Sequence, residues 1–374
     1  MSSTFTATSP GLLTVDLDAL TQNYRTLQAA AAPAACAAVV KADAYGLGLD
    51  AIVAALDAAG CAHYFVANAA EGLRLRGLLP GPRIYVLAGA EPGDEARLRD
   101  AQLVPVLNSL EQTRRWVGEA DAGTCAAVIH IDTGMTRLGL DANEAERLAE
   151  DKALLERLDV EFVMTHLACA DEPGHPLNEQ QLRRFDVIRA RLPHARTSIG
   201  NSAGIFFGAP HCGDLARAGI ALYGGNPFID QPNPMATVAR LYSPILQVRE
   251  LDTAVTVGYG ATHRIEAPAR VATVGAGYAD GYPRALGNTA RAYLGDTEVA
   301  VIGRVSMDLL TIDVTDVPED RVYPGAMVEL LGDHVSLDEL AGQAGTISYE
   351  LLTRLGPRWA RRYTRGNRAS TEDQ

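Results

Sequence analysis

Short apolar runs alternate with amphipathic stretches from about residue 14 to residue 225 of the chain. Most of these runs are rich in valine, isoleucine or aromatic residues and have the length of a buried parallel strand. Eight of them are predicted to be strands: Ala37–Lys41, His63–Ala67, Arg83–Gly89, Val104–Asn108, Ala127–Asp132, Glu161–Leu167, Thr197–Asn201 and Asp214–Gly219. The last two are polar, and they are included partly because they complete a count of eight.

The stretches between the apolar runs show the periodicity of helices. Predicted helices cover Asp50–Ala59, Ala69–Gly77, Ser109–Glu119, Glu144–Leu158 and Asn178–Leu192. Eight strand–helix units in succession predict a (β/α)8 TIM-like barrel in the α/β class. The rival interpretation is a doubly wound open sheet, which would need a Gly-rich nucleotide-binding turn that we do not find in the sequence.

A proline- and glycine-rich stretch over residues 224–234, GGNPFIDQPNP, precedes a change in the pattern. After it, short alternating segments are separated by turn signals, as in a mostly antiparallel β-domain. The predicted strands of this part are Pro244–Glu250, Ala254–Val257, Arg270–Gly275, Ala290–Leu294, Val299–Ile302, Leu309–Val314 and Met327–Leu331. We therefore predict two domains, a barrel over residues 1–233 and a C-terminal β-domain over residues 234–374.

The composition of the 374-residue chain, 47% hydrophobic and 21% charged, is that of an ordinary globular enzyme. A formal net charge of −13 disfavours nucleic acid and anionic membranes as partners. Five scattered cysteines without a C-x-x-C pair indicate neither a disulfide framework nor a zinc site, and no metal is predicted. The first residues lack the features of a secretory signal, and no apolar run reaches the roughly 18 residues that span a bilayer. These features predict a cytoplasmic protein.

Functional residues of a (β/α)8 barrel lie at the carboxyl ends of its strands. Lys41 ends the first predicted strand, at the mouth of the barrel. Partial desolvation there lowers the pKa of an amine and makes it a usable nucleophile or base. By position alone, however, a strand-end lysine that extends to solvent is the commoner case.

Further polar residues follow other strands of the predicted barrel, namely Arg137, His166, Asn201, Ser202 and Arg217. Small polar residues and exposed backbone N–H groups after the last two strands match the usual phosphate site of such barrels. A lysine, a phosphate site, a histidine and arginines on one rim together indicate a cofactor that carries an aldehyde, which is pyridoxal phosphate.

The ordered motifs of the chain resemble those of the alanine racemase family, from about Leu13 to Tyr363. They are Val39-Val-Lys-Ala-Asp-Ala-Tyr-Gly-Leu-Gly48, Asp132-Thr-Gly-Met-Thr-Arg-Leu-Gly139, Thr165-His166, Asn201-Ser202, Arg217-Ala-Gly-Ile-Ala-Leu-Tyr-Gly224, Gly258-Tyr-Gly-Ala-Thr262, Gly277-Tyr-Ala-Asp-Gly281, Gly303-Arg-Val-Ser-Met-Asp308 and Tyr349-Glu350. The resemblance implies a pyridoxal-phosphate-dependent enzyme that interconverts L-alanine and D-alanine with two bases. It also implies that the D-alanine supplies peptidoglycan synthesis.

The resemblance further implies roles for individual residues. Lys41 would bind pyridoxal 5′-phosphate and act as the base on one face of the substrate Cα, and Tyr259 would be the base on the other face. In the family this tyrosine comes from the neighbouring subunit, which implies a homodimer with shared active sites. The implied cofactor contacts are Lys41, Tyr45, Arg137, His166, Asn201, Ser202, Arg217, Gly219, Ile220 and Tyr349, with Arg217 on the pyridine nitrogen. The implied substrate contacts are Arg137, Tyr278, Met307 and Asp308, with Tyr282 near the entrance.

The chain departs from the family pattern at three positions. The family commonly has a lysine, often carbamylated, where this chain has His130, and a histidine forms no stable carbamate. Arg137 must therefore be held by another anion such as chloride, by a direct contact, or less firmly. The other two differences are Leu47 and Ala218, where the family commonly has histidine and proline.

Three other functions are open at the level of sequence. The first is a racemase of the same fold that acts on serine or on a broad set of amino acids. The second is a barrel decarboxylase of basic amino acids, against which Tyr259 and Arg217 argue. The third is a non-catalytic pyridoxal-phosphate-binding barrel, and its relatives lack the β-domain that is predicted after Asn233.

Overall fold

Eight of the apolar runs form a closed parallel barrel in the computed structural model, which describes residues 11–118, 123–192 and 195–366. Its strands are Ala35–Val39, His63–Val66, Arg83–Val86, Val104–Leu107, Cys125–His130, Leu158–Met164, Arg196–Ser198 and Leu215–Ala218. The first seven strands pair in parallel in chain order, and the eighth pairs in parallel with the first. Backbone bonds of 2.8 Å from Asp214 N to Thr197 O and from Arg217 N to Gly200 O close the barrel. The predicted TIM-like barrel is confirmed, and the open-sheet rival is wrong.

Helices cover the outside of the barrel. They are Leu17–Ala31, Leu49–Ala58, Ala69–Leu78, Glu95–Asp100, Leu110–Gly118, Ala142–Glu150, Lys152–Leu155, Pro176–Arg189 and Ala209–Cys212, with short 3-10 turns at Gly204–Phe207 and Ile220–Tyr223. The single helix predicted over Glu144–Leu158 is wrong, because the helix is interrupted at Asp151. The Asp151 carboxylate accepts the N–H of Leu154 at 3.1 Å and caps a second, short helix. Residue 119, the predicted end of one helix, lies outside the described residues.

Aromatic and charged side chains fill the amino-terminal end of the barrel. The rings of Phe65 and Tyr85 stack with their centroids 4.7 Å apart, and Phe162 meets Tyr85 edge-on at 5.9 Å. Glu161 forms an ion pair with Arg83 and accepts a hydrogen bond from the Tyr85 hydroxyl at 3.0 Å. Since this end is filled with paired side chains, the opposite end is the one that can hold a ligand.

The C-terminal part of the chain is a mostly antiparallel β-domain, as predicted. Its strands are Ala239–Leu251, Val255–Val257, His263–Ile265, Ala269–Val274, Arg291–Leu294, Thr297–Ile302, Leu310–Asp313, Met327–Leu331 and Ala360–Thr364. Two helices, Leu337–Gln343 and Ser348–Arg354, and 3-10 turns at Tyr259–Ala261, Tyr278–Asp280, Arg284–Leu286 and Glu319–Arg321 complete it. The sequence analysis did not predict the two helices.

The N-terminal strand Leu12–Asp16 joins the sheet of the C-terminal part and not the barrel. It pairs antiparallel with Ala239–Leu251 and parallel with Ala360–Thr364. The two predicted domains are thus tied together by the start of the chain, and the boundary at residue 233 stays a prediction. Among the described residues, no helix is both long enough and apolar enough to cross a membrane.

Candidate active site

A cavity of about 890 Å³ opens at the carboxyl ends of the barrel strands. The helices Leu337–Gln343 and Ser348–Arg354 of the β-domain form part of its wall. Nine residues that the sequence analysis selected line it, namely Lys41, Tyr45, Arg137, His166, Asn201, Ser202, Arg217, Gly219 and Tyr349. Ile220 is buried directly behind Gly219, at the start of the 3-10 turn Ile220–Tyr223.

A left-handed turn follows Lys41. The four residues Ala42–Tyr45 have φ between +54° and +56°, a conformation that L-residues rarely adopt in succession. The Glu71 carboxylate accepts the N–H of Ala42 on one oxygen and the N–H of Ala67 on the other, both at 2.8 Å. This carboxylate therefore joins the turn after Lys41 to the end of the neighbouring strand.

The β-domain also contacts this turn. Arg361 donates to Gly46 O at 2.9 Å, and the Tyr363 hydroxyl donates to Leu47 O at 2.9 Å. Both side chains lie on the C-terminal strand Ala360–Thr364. The position of Lys41 thus depends on contacts from both parts of the chain.

The electrostatic surroundings of Lys41 favour the neutral amine. Burial lowers the pKa of Lys41, and the nearby Arg137 guanidinium lowers it further, while Glu71 acts in the opposite direction. A lysine whose pKa is lowered in this way is a better nucleophile and base at neutral pH. The structure supports this reading of Lys41 over that of a solvated strand-end lysine.

Arg217 is 4% exposed and donates only to uncharged groups. Its guanidinium bonds Ser198 Oγ at 2.6 Å, Thr165 O at 2.7 Å and Ile199 O at 3.0 Å. It also lies 3.3 Å from Nδ1 of His166, and since a guanidinium only donates, that ring nitrogen is an acceptor. Burial lowers the pKa of Arg217 to about 9, which leaves the side chain protonated at neutral pH. Within the part of the chain that is described, no carboxylate pairs with this buried cation.

The backbone after the last barrel strand forms a small polar cradle. Ser202 Oγ accepts the N–H groups of Gly219 at 2.8 Å and Ala221 at 3.4 Å. A Cβ added to Gly219 would lie 2.7 Å from the Tyr45 hydroxyl oxygen, so glycine is needed for that approach. The Tyr45 ring stacks on Tyr223 with a centroid distance of 4.6 Å. The Ser202 and Tyr45 hydroxyls, gathered at the N-terminus of this turn, are suited to donate to an anion such as phosphate.

Arg137 lies on a tight turn beyond strand Cys125–His130. The Asp132 carboxylate holds that turn by accepting three consecutive N–H groups, those of Gly134, Met135 and Thr136, at 2.9 to 3.1 Å. The Arg137 side chain is exposed, and it lines the same cavity as Lys41. It is therefore placed to meet an anionic ligand.

The remaining predicted residues, Tyr259, Tyr278, Met307 and Asp308, do not line the cavity that holds Lys41. Tyr278 N donates to Ser306 O at 3.1 Å, next to Met307 and Asp308. The turn that carries Tyr259 approaches the same segment, because a Cβ added to Gly260 would lie 3.0 Å from Arg304 Nη1. Tyr259 is 72% exposed, Met307 54% and Tyr278 43%. Tyr282, expected near an entrance, is instead buried in the β-domain core.

Sequence reasoning missed several residues that position the site. Glu71 could have been found, because it stands three residues after the helix N-cap Asn68, the spacing of a capping box. Asn108, which contacts His130 at 2.8 Å, carried no such signal. Arg361 and Tyr363 could not have been found, because more than 300 residues separate them from the turn that they contact.

Known proteins resemble this chain over nearly its whole length. Residues 15–227 match the family model of the alanine racemase N-terminal domain, and residues 238–363 match that of the alanine racemase C-terminal domain. The alanine racemase of Rhodospirillum rubrum is 53% identical over 94% of this chain and 95% of its own length. That of Acidiphilium cryptum is 49% identical over 93% of this chain and 97% of its own length.

Solved structures resemble the fold equally closely. The Bartonella henselae alanine racemase with covalently bound pyridoxal phosphate superposes with a TM-score of 0.91 at 37% identity, over 95% of this chain and all of that one. The biosynthetic alanine racemase of Pseudomonas aeruginosa superposes with a TM-score of 0.90 at 35% identity, over 96% of this chain and all of that one.

Proposed function

The chain belongs to the alanine racemase family, and from this premise we propose that it interconverts L-alanine and D-alanine with pyridoxal 5′-phosphate as cofactor. The observation that carries the proposal is a single cavity in which Lys41, an amine of lowered pKa, faces the cradle of Gly219 and Ser202. These are the groups that a phosphate-bearing aldehyde requires.

The residues present fit this cofactor. Lys41 would hold its aldehyde carbon, and the cradle formed by Tyr45, Ser202 and Gly219 would hold its phosphate. Arg217, a buried donor in contact with uncharged groups alone, would face the pyridine nitrogen. An arginine stays protonated there, so it donates to the ring nitrogen and does not give up a proton to it. When bound, the cofactor supplies the electron withdrawal that makes the α-proton of the amino acid acidic.

Racemisation requires two bases, because the proton must leave one face of Cα and return to the other. We assign Nζ of Lys41 to one face, where the lowered pKa increases the fraction of unprotonated amine that is free to accept a proton. We assign the phenol oxygen of Tyr259 to the other face. A phenol oxygen can exchange a proton with Cα when it is held close to that face.

A shared site between two copies of the chain accounts for the positions of these two bases. Tyr259 does not line the cavity of its own Lys41 and is 72% exposed, on a surface that also carries exposed Tyr278 and Met307. Exposed apolar side chains in a cluster are typical of an interface. We therefore propose a homodimer in which Tyr259 of the partner subunit completes each cavity, together with Tyr278, Met307 and Asp308 from the same surface.

Proton NMR of L-alanine in D2O, followed by chiral chromatography, tests the reaction. Loss of the α-proton together with formation of D-alanine is expected. Exchange without inversion would mean that a single base works on alanine. Serine and bulkier amino acids would then be assayed as substrates of the alternative racemase. No exchange in protein that contains the cofactor would refute the proposal and favour the decarboxylase or the non-catalytic reading.

Subunit mixing tests the shared site. Neither Lys41→Ala nor Tyr259→Phe protein alone should racemise alanine at the native rate. Mixed dimers should recover activity, because one of their two sites contains both bases. Mixed dimers that are demonstrated by mass spectrometry but show no recovery would contradict the shared site and leave the fold assignment untouched.

The attachment point of the cofactor can be mapped without an activity assay. Lys41 and Lys152 are the only lysines in the sequence. Lys152 is exposed, on the helix Lys152–Leu155 outside the barrel, and serves as an internal control. Borohydride reduction followed by peptide mass mapping should place the cofactor on Lys41 alone. Equal labelling of both lysines would indicate adventitious attachment.

The use of the D-alanine for peptidoglycan remains a proposal that the family suggests. Deletion of the gene should make growth depend on added D-alanine. Normal growth without D-alanine would favour a catabolic role.

A further inference from the structure

His130 ends the barrel strand Cys125–His130, and its ring faces the cavity together with Lys41 and Arg137. The side chain is 8% exposed. Burial and the nearby Arg217 and Arg137 lower the pKa of His130 to about 3, while Asp132 acts in the opposite direction. The ring is therefore neutral at physiological pH, with one protonated and one unprotonated nitrogen.

Asn108 determines which nitrogen carries the proton. Its Nδ2 group donates to Leu87 O at 2.9 Å and to Val106 O at 2.8 Å, which uses both amide hydrogens. Its Oδ1 atom consequently faces His130 Nδ1, at 2.8 Å. An amide oxygen only accepts, so the imidazole proton must reside on Nδ1. The other nitrogen, Nε2, carries a lone pair, and none of the hydrogen bonds found within residues 11–118, 123–192 and 195–366 involves it.

The Arg137 guanidinium, in turn, needs hydrogen-bond acceptors. Its guanidinium carries five N–H donors. Across the same described ranges it forms neither an ion pair nor a hydrogen bond through its side chain. An unused acceptor and an unused donor group thus line one cavity, on the strand Cys125–His130 and on the turn that follows it.

We propose that His130 is a positioning residue: when the exposed Arg137 side chain turns towards it in the loaded site, the neutral Nε2 accepts a hydrogen bond from the guanidinium and fixes it beside Lys41. The inference rests on the proposed function for the importance of Arg137, which would meet the cofactor and the substrate carboxylate. A neutral acceptor orients the guanidinium without cancelling its charge, so the charge remains available to the substrate. This arrangement requires neither a carbamate nor a bound chloride ion.

Nitrogen-15 NMR of the histidine-labelled holoenzyme tests the contact directly. The chain has eight histidines, and the His130 signal is identified by its loss in His130→Gln protein. The expected spectrum shows a neutral ring protonated on Nδ1 from pH 5 to 9, and Arg137→Met should shift the Nε2 signal. A proton on Nε2, or an Nε2 signal that Arg137→Met leaves unchanged, would overturn the proposal. Neither result depends on racemisation, so failure here is distinct from failure of the proposed function.

Steady-state kinetics supply the functional test. His130→Leu should lower kcat/KM for alanine about tenfold or more, chiefly through KM, as loss of a hydrogen bond to a charged group predicts. His63→Leu is the matched control, because His63 lies at the opposite end of the barrel, where its Nδ1 is 3.2 Å from the Tyr85 hydroxyl. That control should leave KM unchanged. Equal changes in both variants would indicate a structural effect only and refute the positioning role.

Anion dependence separates His130 from the alternative holders of Arg137. The native enzyme should show the same KM in chloride-free, bicarbonate-depleted buffer as in buffer with both ions. A saturable decrease of KM with chloride or with bicarbonate would mean that an external anion holds Arg137, and the proposal would then be wrong.

Discussion

Replacement of Ala42 by glycine is expected to stabilise the folded protein, although glycine weakens most regular structure. Ala42 has φ +54° and ψ +49°, in the left-handed region, and its side chain is exposed. Substitution therefore removes no core methyl group, and the Ala42 N–H that donates to Glu71 is retained. The change isolates the conformational preference of the backbone at one position.

The expected size follows from two opposing contributions. An L-residue in the left-handed helical conformation is disfavoured by about 1–2 kcal/mol, because its Cβ approaches the following carbonyl oxygen. Glycine avoids this contact, but its unfolded chain is more flexible, which offsets about 0.5–1 kcal/mol. The free energy of unfolding should therefore rise by about 0.75 kcal/mol in Ala42→Gly protein, the difference between the midpoints of these two contributions.

Ala54 provides the matched control. It is also an exposed alanine, but it lies in the right-handed helix Leu49–Ala58, where glycine costs about 1 kcal/mol. The two substitutions should thus change the unfolding free energy in opposite directions. Urea unfolding followed by tryptophan fluorescence measures both, because Trp116 and Trp359 are each 2% exposed. Protein and cofactor concentrations must be held equal, because ligand binding and oligomerisation shift apparent stability. Equal destabilisation by both variants would refute the claim that the turn after Lys41 is strained.

Three further outcomes follow from the charges in the cavity. In cofactor-free protein the pH midpoint for reductive methylation of Lys41 should lie below the ordinary lysine pKa of 10.5. It should be lower still in Glu71→Gln protein, because Glu71 raises the pKa of Lys41. An unchanged midpoint in Glu71→Gln protein would contradict the assignment. The folded-state pKa of His130, about 3, is below the unfolded value of 6.5, so the unfolded chain binds protons first and stability is lost as the pH falls below 6.5. Urea unfolding between pH 6.5 and 4 should show this loss to be steeper in the native protein than in His130→Gln by about 1.4 kcal/mol per pH unit, and equal slopes would argue against a buried neutral ring. Arg217→Met leaves buried carbonyl acceptors without a donor and should reduce the unfolding free energy by about 3 kcal/mol, whereas a neutral effect would mean that water replaces the guanidinium.

Much of the fold could be predicted because parallel strands buried on both faces appear as continuous apolar runs. The strands Arg196–Ser198 and Leu215–Ala218 carry little such signal, and only the count of eight units led to them. The N-terminal strand Leu12–Asp16 was not predicted, because its partner Ala360–Thr364 lies at the far end of the chain. Pairing over that distance leaves no periodic trace in the local sequence.

The turn after Lys41 shows a different limit. The sequence Ala42-Asp-Ala-Tyr45 contains no glycine, so local propensity favours a right-handed helix or an extended segment. Side chains from other elements hold the left-handed turn. Glu71 accepts the N–H of Ala42 at its start, and Arg361 donates to the carbonyl oxygen of Gly46 directly after it. Such tertiary control of a single turn can be seen only in three dimensions.

The candidate site likewise contains residues that the sequence pattern could predict and one that it could not. Strand-end positions were sufficient to predict Lys41, Arg137, His166 and Arg217, because a barrel brings all of its strand ends to one rim. The assignment of Tyr259 came from resemblance alone. Its exposed position is consistent with a site that a second copy completes, which is a property of an assembly and not of one folded chain.

The two histidines of the cavity show how hydrogen-bond partners determine which imidazole nitrogen donates and which accepts. Burial, together with Arg217 and Arg137, lowers the pKa of both His130 and His166, so both rings are neutral. His166 accepts from Arg217 on Nδ1 and therefore keeps its proton on Nε2, whereas His130 donates from Nδ1 to Asn108 and has its lone pair on Nε2. The same residue type thus presents a donor at one point of the site and an acceptor at another. The His166 tautomer is set by Arg217, which lines the cavity, and the His130 tautomer by Asn108, which does not. Asn108→Asp, which changes no cavity-lining residue, should therefore raise the pKa of His130 and weaken its contact with Arg137.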